Sequence, residues 1–323
     1  MSLLAAIDVG SNTIRLLIGE IEGHKIKDVY SDRKITRLGN LVDQTGRLQD
    51  ENIQASSAVL KEFSSILGKY GVEYVRAVAT SALREASNSA SFVKEVLDNT
   101  GIQIEVISGE KEAELTLKGV LLSLPDSMPG RRRDSSFIVD IGGGSTEWIL
   151  YGDDLLGMGS IPVGVIKLAR QFIKTDPVSR SDIANMDREI ISLLDGLKPR
   201  VAQHINRNTR FIGTAGTFTT IASVDLALDA YSREKIHLHR ISLEKLRTMS
   251  ENLLSLPLEK RKKVKGLEPE RADLIIPGLQ FTIKVMDFFL FEELTVSDYG
   301  LLEGLLSEIK ETIGKGISET RKP

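Results

Sequence analysis

Two short stretches of the 323-residue chain carry residue types suited to phosphate chemistry. "DVGSNT" runs from Asp8 to Thr13, and "DIGGGSTE" from Asp140 to Glu147. Each places an aspartate near the end of an apolar run, then glycine and small polar residues. An aspartate in a buried strand needs a reason, and consecutive glycines weaken any regular element. A glycine-rich turn exposes successive backbone N–H groups with little side-chain bulk in the way, and such nests bind phosphate oxygens. The second stretch offers Gly142, Gly143, Gly144 and Ser145 for this. An aspartate beside the nest repels phosphate, yet it can hold Mg²⁺, directly or through water, and the metal then bridges to the phosphate. Glycines serving tight hairpins alone are the plainer alternative.

The two stretches repeat one another. "IDVGSNTIRLLIG" (7–19) lies on "VDIGGGSTEWILY" (139–151), with Asp8 on Asp140 and Gly10 on Gly142, 132 residues apart. A repeat at domain spacing reads as internal duplication. Two such hairpins facing each other would grip a phosphate chain from both sides. Other phosphate and metal signatures are absent: there is no G-x-x-x-x-G-K-[ST], no H-E-x-x-H, and a strand rather than a helix follows the glycines. Of the four histidines, His237 and His239 form "HLH", which strand alternation would place on one face as a surface pair.

The elements that must position these residues follow from periodicity. Residues 3–9 and 13–21 read as strands around a turn at Gly10-Ser11-Asn12, with a third over 24–38. Residues 51–70 and 89–101 have helical spacing, each with glycine at its end. Strands at 73–80 and 102–108 and a helix from about Glu110 to Ser123, N-capped by Ser108, complete a mixed sheet covered by helices. "LPDSMPGRRRD" (124–134) is the candidate linker. Beyond it the pattern restarts: strands at "SSFIVDIGG", "STEWILYG" and "LLGMGSIPVG", helices near 164–173 and 180–205, a strand at 209–216, and one at 294–298. This predicts domains at 1–124 and 134–299. The last helix (300–323) carries an apolar stripe from Leu301 to Ile313 that needs a partner surface, for which the first domain is the candidate.

Composition narrows the class. Hydrophobic residues make up 41% and charged residues 27%, as in globular proteins with a core. The chain has no cysteine, which excludes disulfides, thiol nucleophiles and cysteine metal sites. The N-terminus lacks a signal-peptide pattern, and no apolar run reaches membrane-spanning length. The expectation is a cytoplasmic protein without a membrane partner. A net charge of −3 argues against a general nucleic-acid binder. "LEKRKKVK" (258–265) and "GRRRD" (130–134) are local basic runs, read either as solvated faces or as a collar for a phosphate-rich ligand.

At this point the chain resembles the exopolyphosphatase / guanosine pentaphosphate phosphohydrolase (Ppx/GppA) family of the actin, Hsp70 and sugar-kinase superfamily. The resembling residues are "AAIDVGSNTIRLLIGEI", "RAVATSALREASN", "VISGEKEAELTLKGV", "IVDIGGGSTEWIL", "IPVGVIKL", "FIGTAGTFTTIA" and "KVKGLEPERADLIIPGL", in the family's order. The resemblance implies an α/β fold of two RNase H-like (actin-like ATPase) domains. Each is a mixed five-stranded sheet flanked by helices, and the active site lies in the interdomain cleft. It implies Mg²⁺ or another divalent cation as cofactor, and removal of terminal phosphate from phosphoanhydride chains.

Roles carry over residue by residue. First-turn acids complement a helix dipole, and physics alone does not choose among Glu110, Glu112 and Glu114. The family's E-E-A pattern selects Glu112, before Ala113, as the group that orients and deprotonates the attacking water; the pattern's first glutamate is Lys111 here. Asp140 and Glu147 join the metal and catalytic constellation by resemblance, although Glu147 alone reads as an exposed strand carboxylate. Asp8 is the corresponding acid of the first half. Ser11 and Asn12 match the first phosphate loop, and Arg84 a phosphate-gripping arginine. Arg271 is a weaker phosphate candidate, with Glu270 and Asp273 as ready local partners. "GTAGT" (213–217) opens a helix near the ligand.

The resulting expectation is an exopolyphosphatase acting on inorganic polyphosphate. Guanosine pentaphosphate is the nearest alternative substrate. An actin-like nucleotide switch or a non-catalytic sensor are rivals of another class, against which Glu112 and the intact acids argue. A homodimer is an option that the superfamily suggests.

Overall fold

In the computed structural model, which describes residues 2–22, 25–124 and 135–314, the repeated hairpins stand near the middle of two separate sheets. The chain divides into two compact units, one built from residues up to Ser123 and from Tyr299 onward, the other from Leu124 to Asp298. His24, most of the candidate linker with its basic "GRRRD" run, and the residues after 314 lie outside the described residues.

The first unit runs β1 (Leu4–Val9), β2 (Thr13–Glu22), β3 (Lys25–Ile35), α1 (Val42–Thr45), α2 (Asp50–Tyr70), β4 (Tyr74–Ala79), α3 (Ser81–Glu85), α4 (Ser89–Thr100), β5 (Ile104–Val106) and α5 (Gly109–Ser123). Its sheet has the order β3-β2-β1-β4-β5. β1 pairs antiparallel with β2 and parallel with β4. Being central, β1 is buried on both faces, which explains its apolar run from Leu4 to Ile7. Ala5, Ile7 and Val9 meet Leu60 and Phe63 of α2 and Phe92 of α4. Leu4 and Ala6 face the other way, onto Leu115 of α5 and the stripe of the C-terminal helix Leu301–Gly314. Asp8 shares the parity of Leu4 and Ala6. Helix ends follow local chemistry: Gly71 and Gly101 take left-handed conformations at the ends of α2 and α4, and Ser108 Oγ accepts from the Lys111 N–H at the start of α5.

The second unit runs β6 (Ser136–Ile141), β7 (Thr146–Tyr151), β8 (Leu155–Ile161), α6 (Val165–Phe172), α7 (Arg180–Val201), β9 (Arg210–Thr214), α8 (Ala215–Asp225), α9 (Arg233–Ile236), β10 (Arg240–Ser242), α10 (Leu243–Leu254), α11 (Leu258–Arg261), α12 (Ile275–Phe289) and β11 (Glu293–Ser297). The C-terminal helix of the first unit is then α13. The second sheet has six strands, β10-β11-β9-β6-β7-β8, and not the expected five. The extra strand, β10, adds three residues antiparallel to β11. It displaces the reading of "HLH" as strand. Leu238 is left-handed (φ 63°), so alternation breaks before β10 begins. His239 Nε2 lies 2.7 Å from Asp225 Oδ2, while His237 Nδ1 accepts from the Asp298 N–H.

The basic run 258–265 is also not a uniform collar. Arg261 is buried, donating to the carbonyls of Leu256 and Ala272 and pairing with Asp176 at 3.1 Å. Lys262 pairs with Glu259, and Lys265 with Asp229.

The crossing of α5 and α13 is unusually close. A Cβ on Gly119 would come within 1.8 Å of Gly300 O, and one on Gly304 within 1.9 Å of Leu115 O. Beside this crossing, Glu308 of α13 is met by Arg76, by Lys111 at 2.7 Å and by Lys118 at 3.5 Å, with Glu114 and Glu311 as acidic neighbours of the lysines. Burial alone would raise the Glu308 pKa. The hydrogen bond from Lys111 and the charges of Arg76, Lys111 and Lys118 outweigh it and hold the carboxyl below its usual range.

Two outcomes follow. Gly119→Ala is expected to destabilise the protein by about 3 kcal/mol or more, because backbone rather than a flexible side chain blocks the added methyl; thermal unfolding checks this, and an unchanged Tm would refute the close crossing. A carboxyl with a depressed folded pKa contributes stability above its unfolded pKa, lost as pH falls through the folded value. Glu308→Gln should therefore flatten the acid limb of a Tm-versus-pH curve.

Candidate active site

Each hairpin closes with the same turn: the Gly10 N–H donates to Thr13 O at 3.1 Å, and the Gly142 N–H to Ser145 O at 3.0 Å. The loop carbonyls are then tied back. Ser11 O accepts from Gly39 N–H, and Asn12 O from the N–H groups of Thr36 and Arg37. In the second unit Gly142 O and Gly143 O accept from Val165 and Ile166 at the start of α6. With the carbonyls occupied, the Gly143 and Gly144 N–H groups make no backbone hydrogen bond of the loop among the described residues, as a phosphate nest would require. In both units a glycine after the third strand lets the supporting segment approach. A Cβ on Gly39 would lie 2.6 Å from Ser11 Cβ, and one on Gly164 2.4 Å from Gly142 O. Neither glycine was singled out by the repeat, although Gly164 stands inside "IPVGVIKL".

The acids sit on equivalent rungs with opposite partners. In the first unit Asp8 is opposite Arg15, whose Nε and Nη2 donate to Asp8 Oδ2 at 2.9 and 2.7 Å. Asp8 Oδ1 and Asn12 Oδ1 are buried without a hydrogen-bond partner among the described residues. In the second unit the rung holds Asp140 opposite Glu147, and Asp140 also borders Thr214 of β9. Asp140 is 5% exposed and Glu147 0%, so Glu147 is not an exposed strand carboxylate. Ser160 Oγ donates to Glu147 Oε1 at 2.7 Å. Ser145 is buried beside them. Like charges directly opposite destabilise a ladder, and two facing carboxylates suit a cation. Among the described residues no group of three or more His, Cys, Asp or Glu is gathered to hold a metal. An oxygen-only pair still fits Mg²⁺, which takes one or two carboxylates and completes its shell with water and phosphate.

Glu112 and Arg84 are brought together. Glu112, in the first turn of α5, is 7% exposed, and Arg84 Nη1 donates to its Oε2 at 2.7 Å. The same Nη1 donates to Ile107 O at 3.0 Å, and the Ile107 N–H is held by Ala79 O. The ion pair thus joins α3, which follows β4, to the start of α5. Glu110 is exposed, and Glu114 faces Lys111 and Lys118, so burial separates Glu112 from the other two acids of its helix.

Arg271 donates from Nε to Glu268 Oε2 at 2.9 Å, a partner not anticipated. Its guanidinium lies against the "GTAGT" turn: a Cβ on Gly216 would come within 2.6 Å of Nη1. In that turn Ala215 is left-handed (φ 66°), a conformation that costs a non-glycine residue energy and recurs at ligand-binding turns.

The Ppx/GppA phosphatase family model matches residues 17–312. The chain belongs to that family. Among Ppx/GppA relatives, the Exopolyphosphatase 2 of Mycobacterium tuberculosis is 30% identical over 318 residues, covering 94% of this chain and 98% of that protein. A bifunctional 3-dehydroquinate synthase/phosphatase of Fusobacterium nucleatum is 32% identical over 95% of this chain, which spans only 46% of that longer relative. The crystal structure of an exopolyphosphatase from Cytophaga hutchinsonii superposes with a TM-score of 0.86 at 28% identity, over 98% of this chain and 99% of that one. The two-domain actin-like fold of the Ppx/GppA proteins is therefore the fold of this chain.

The packing of Gly164 makes the second loop sensitive to a single methyl. Gly164→Ala should displace Gly142 and Gly143 and raise the KM for a polyphosphate substrate by about ten-fold or more. Gly196→Ala, where an added Cβ meets nothing within 4 Å, is the control expected to leave KM unchanged. Equal kinetics for both variants would count against the loop as a phosphate site.

Proposed function

We propose that this protein hydrolyses phosphoanhydride bonds, releasing the terminal phosphate of inorganic polyphosphate. The observation that carries this reading is the buried Asp140–Glu147 rung beside a glycine loop whose carbonyls are held back. Its support from relatives is the Mycobacterium tuberculosis Exopolyphosphatase 2, whose whole length this chain nearly matches.

In this reading Asp140 and Glu147 take a divalent cation, Mg²⁺, which would offset charge on the phosphoryl oxygens during transfer. Gly142, Gly143, Gly144 and Ser145 cradle phosphate with backbone and hydroxyl donors, as do Ser11 and Asn12 in the first hairpin. Asp8 has one oxygen held by Arg15, and its other oxygen would be available to a divalent cation or its hydration water. Glu112 orients the attacking water and accepts its proton. Arg84 keeps Glu112 in place and would bring positive charge toward the phosphoryl group. Arg271 reaches the more distant phosphates beside the Gly216 turn. The water oxygen forms the new P–O bond, the anhydride P–O bond breaks, and the shortened chain leaves with the electron pair.

The family's second activity is the alternative: the same residues removing the 5′-terminal phosphate of guanosine pentaphosphate. No described helix is long and apolar enough to cross a membrane.

Phosphate release from polyphosphate, guanosine pentaphosphate and ATP, measured side by side with Mg²⁺, decides between them. The fastest kcat/KM is expected on polyphosphate. Preference for guanosine pentaphosphate would move the assignment to the second activity, and no release from any of the three would leave a binding or sensing role. Glu112→Gln should lower kcat by about 10²-fold or more with little change in KM. Near-normal turnover in that variant would remove Glu112 as the base.

A further inference from the structure

The α5–α13 crossing carries a third contact that reaches the active-site end of α5. Along the antiparallel helices, Gly119 meets Gly300, Leu115 meets Gly304, and Lys111 meets Glu308. Each step moves four residues back on α5 and four forward on α13. The first two contacts are backbone against backbone, which fixes how closely the helices approach. The third is an ion pair, Lys111 Nζ to Glu308 Oε1 at 2.7 Å, and it holds the first turn of α5. The next residue in that turn is Glu112.

Glu308 also contacts the strand that precedes Arg84. Its second oxygen accepts from Arg76 Nη1 of β4, the strand that runs directly into α3 and Arg84. Arg84 Nη1 in turn donates to Glu112 Oε2. One carboxylate on the C-terminal helix therefore ties the helix bearing Glu112 to the strand that leads to Arg84. Lys111 is the residue at which this chain departs from the E-E-A pattern, and a glutamate there would repel Glu308.

We propose that Glu308 is a positioning residue for the Arg84–Glu112 pair, acting through Lys111 and Arg76. This rests on the assignment of Glu112 as the base. Positioning of a base within about an ångström is worth one to two orders of magnitude in rate, so loss of Glu308 should appear in turnover and not in substrate binding.

The test compares Glu308→Gln, Glu308→Ala, Lys111→Glu and the charge-swapped Lys111→Glu/Glu308→Lys protein, assayed for phosphate release from polyphosphate with Mg²⁺. All kcat values are scaled to the folded fraction from thermal unfolding. Each single variant is expected to lower kcat about ten-fold with KM within two-fold, and the swap to recover only the part carried by the 111–308 pair, because a lysine at position 308 would face Arg76 and Lys118. Hydrogen exchange supplies a readout independent of activity. The amides of residues 110–113 should exchange faster in the single variants, while those of α2 keep their protection. Uniformly faster exchange, or unchanged kcat per folded molecule, would overturn the proposal and leave Glu308 as a stabilising ion pair only. Glu112→Gln run alongside separates the two readings. If it is inactive while the Glu308 variants are normal, positioning fails and the base stands. If it retains turnover, the assignment of the base fails first.

Discussion

A carboxylate taken out of water is costly unless a cation or hydrogen-bond donors replace its hydration, and both hairpins of this chain bury one near the end of their first strand. The first hairpin answers Asp8 with Arg15 on the facing rung. The second puts Glu147 on the equivalent rung opposite Asp140. The same turn and the same register thus produce a neutralised pair in one unit and a pair of acids in the other. A single difference, arginine against glutamate, gives one hairpin an ion pair across the rung and the other two facing carboxylates. The rest of the proposed chemistry depends on this difference. In the proposed function Asp140 and Glu147 would hold the metal, while both loops would cradle phosphate.

In both candidate phosphate loops the carbonyls are engaged elsewhere. A glycine turn presents oxygen as readily as N–H, and carbonyl oxygens facing phosphate would repel it. Here the segment after the third strand of each sheet donates to those oxygens, and it can approach only because Gly39 and Gly164 lack side chains. The duplication therefore extends beyond the two quoted motifs to the segments that brace them. The two braces differ in form: a loop with left-handed Arg37 and Leu41 in the first unit, and the start of α6 in the second.

Glu112 is set by different means. It lies on a helix held by backbone contact with α13, by hydrophobic packing of Leu115 against the Leu301–Ile309 stripe, and by ion pairs to Arg84 and through Lys111. Packing fixes distance but permits sliding and rotation, whereas ion pairs at the first turn restrict both. This explains why a residue so far along the chain as Glu308 bears on the candidate base. Substitution at position 111 relative to the family pattern need not weaken the site, since the lysine has a carboxylate to meet it.

Features governed by a few neighbouring residues were legible in the sequence. The strand–turn–strand hairpins, the repeat of Asp8 on Asp140, the α2 and α4 helices with their terminal glycines, the Ser108 cap and the apolar stripe of α13 all follow from local periodicity and turn chemistry. The choice of Glu112 over Glu110 and Glu114 came from the family pattern, because all three suit a helix N-terminus equally. Tertiary structure alone decided which distant groups meet: Arg84 with Glu112, Lys111 with Glu308, Arg261 with Asp176, and Arg271 with the Gly216 turn. It also added β10 to the second sheet, turned "HLH" out of a strand, and showed Glu147 fully buried. The reason is common to all of these. A side chain's nearest neighbours in sequence set its local conformation, but its burial and its ionic partner are set by segments that only the packed fold brings beside it.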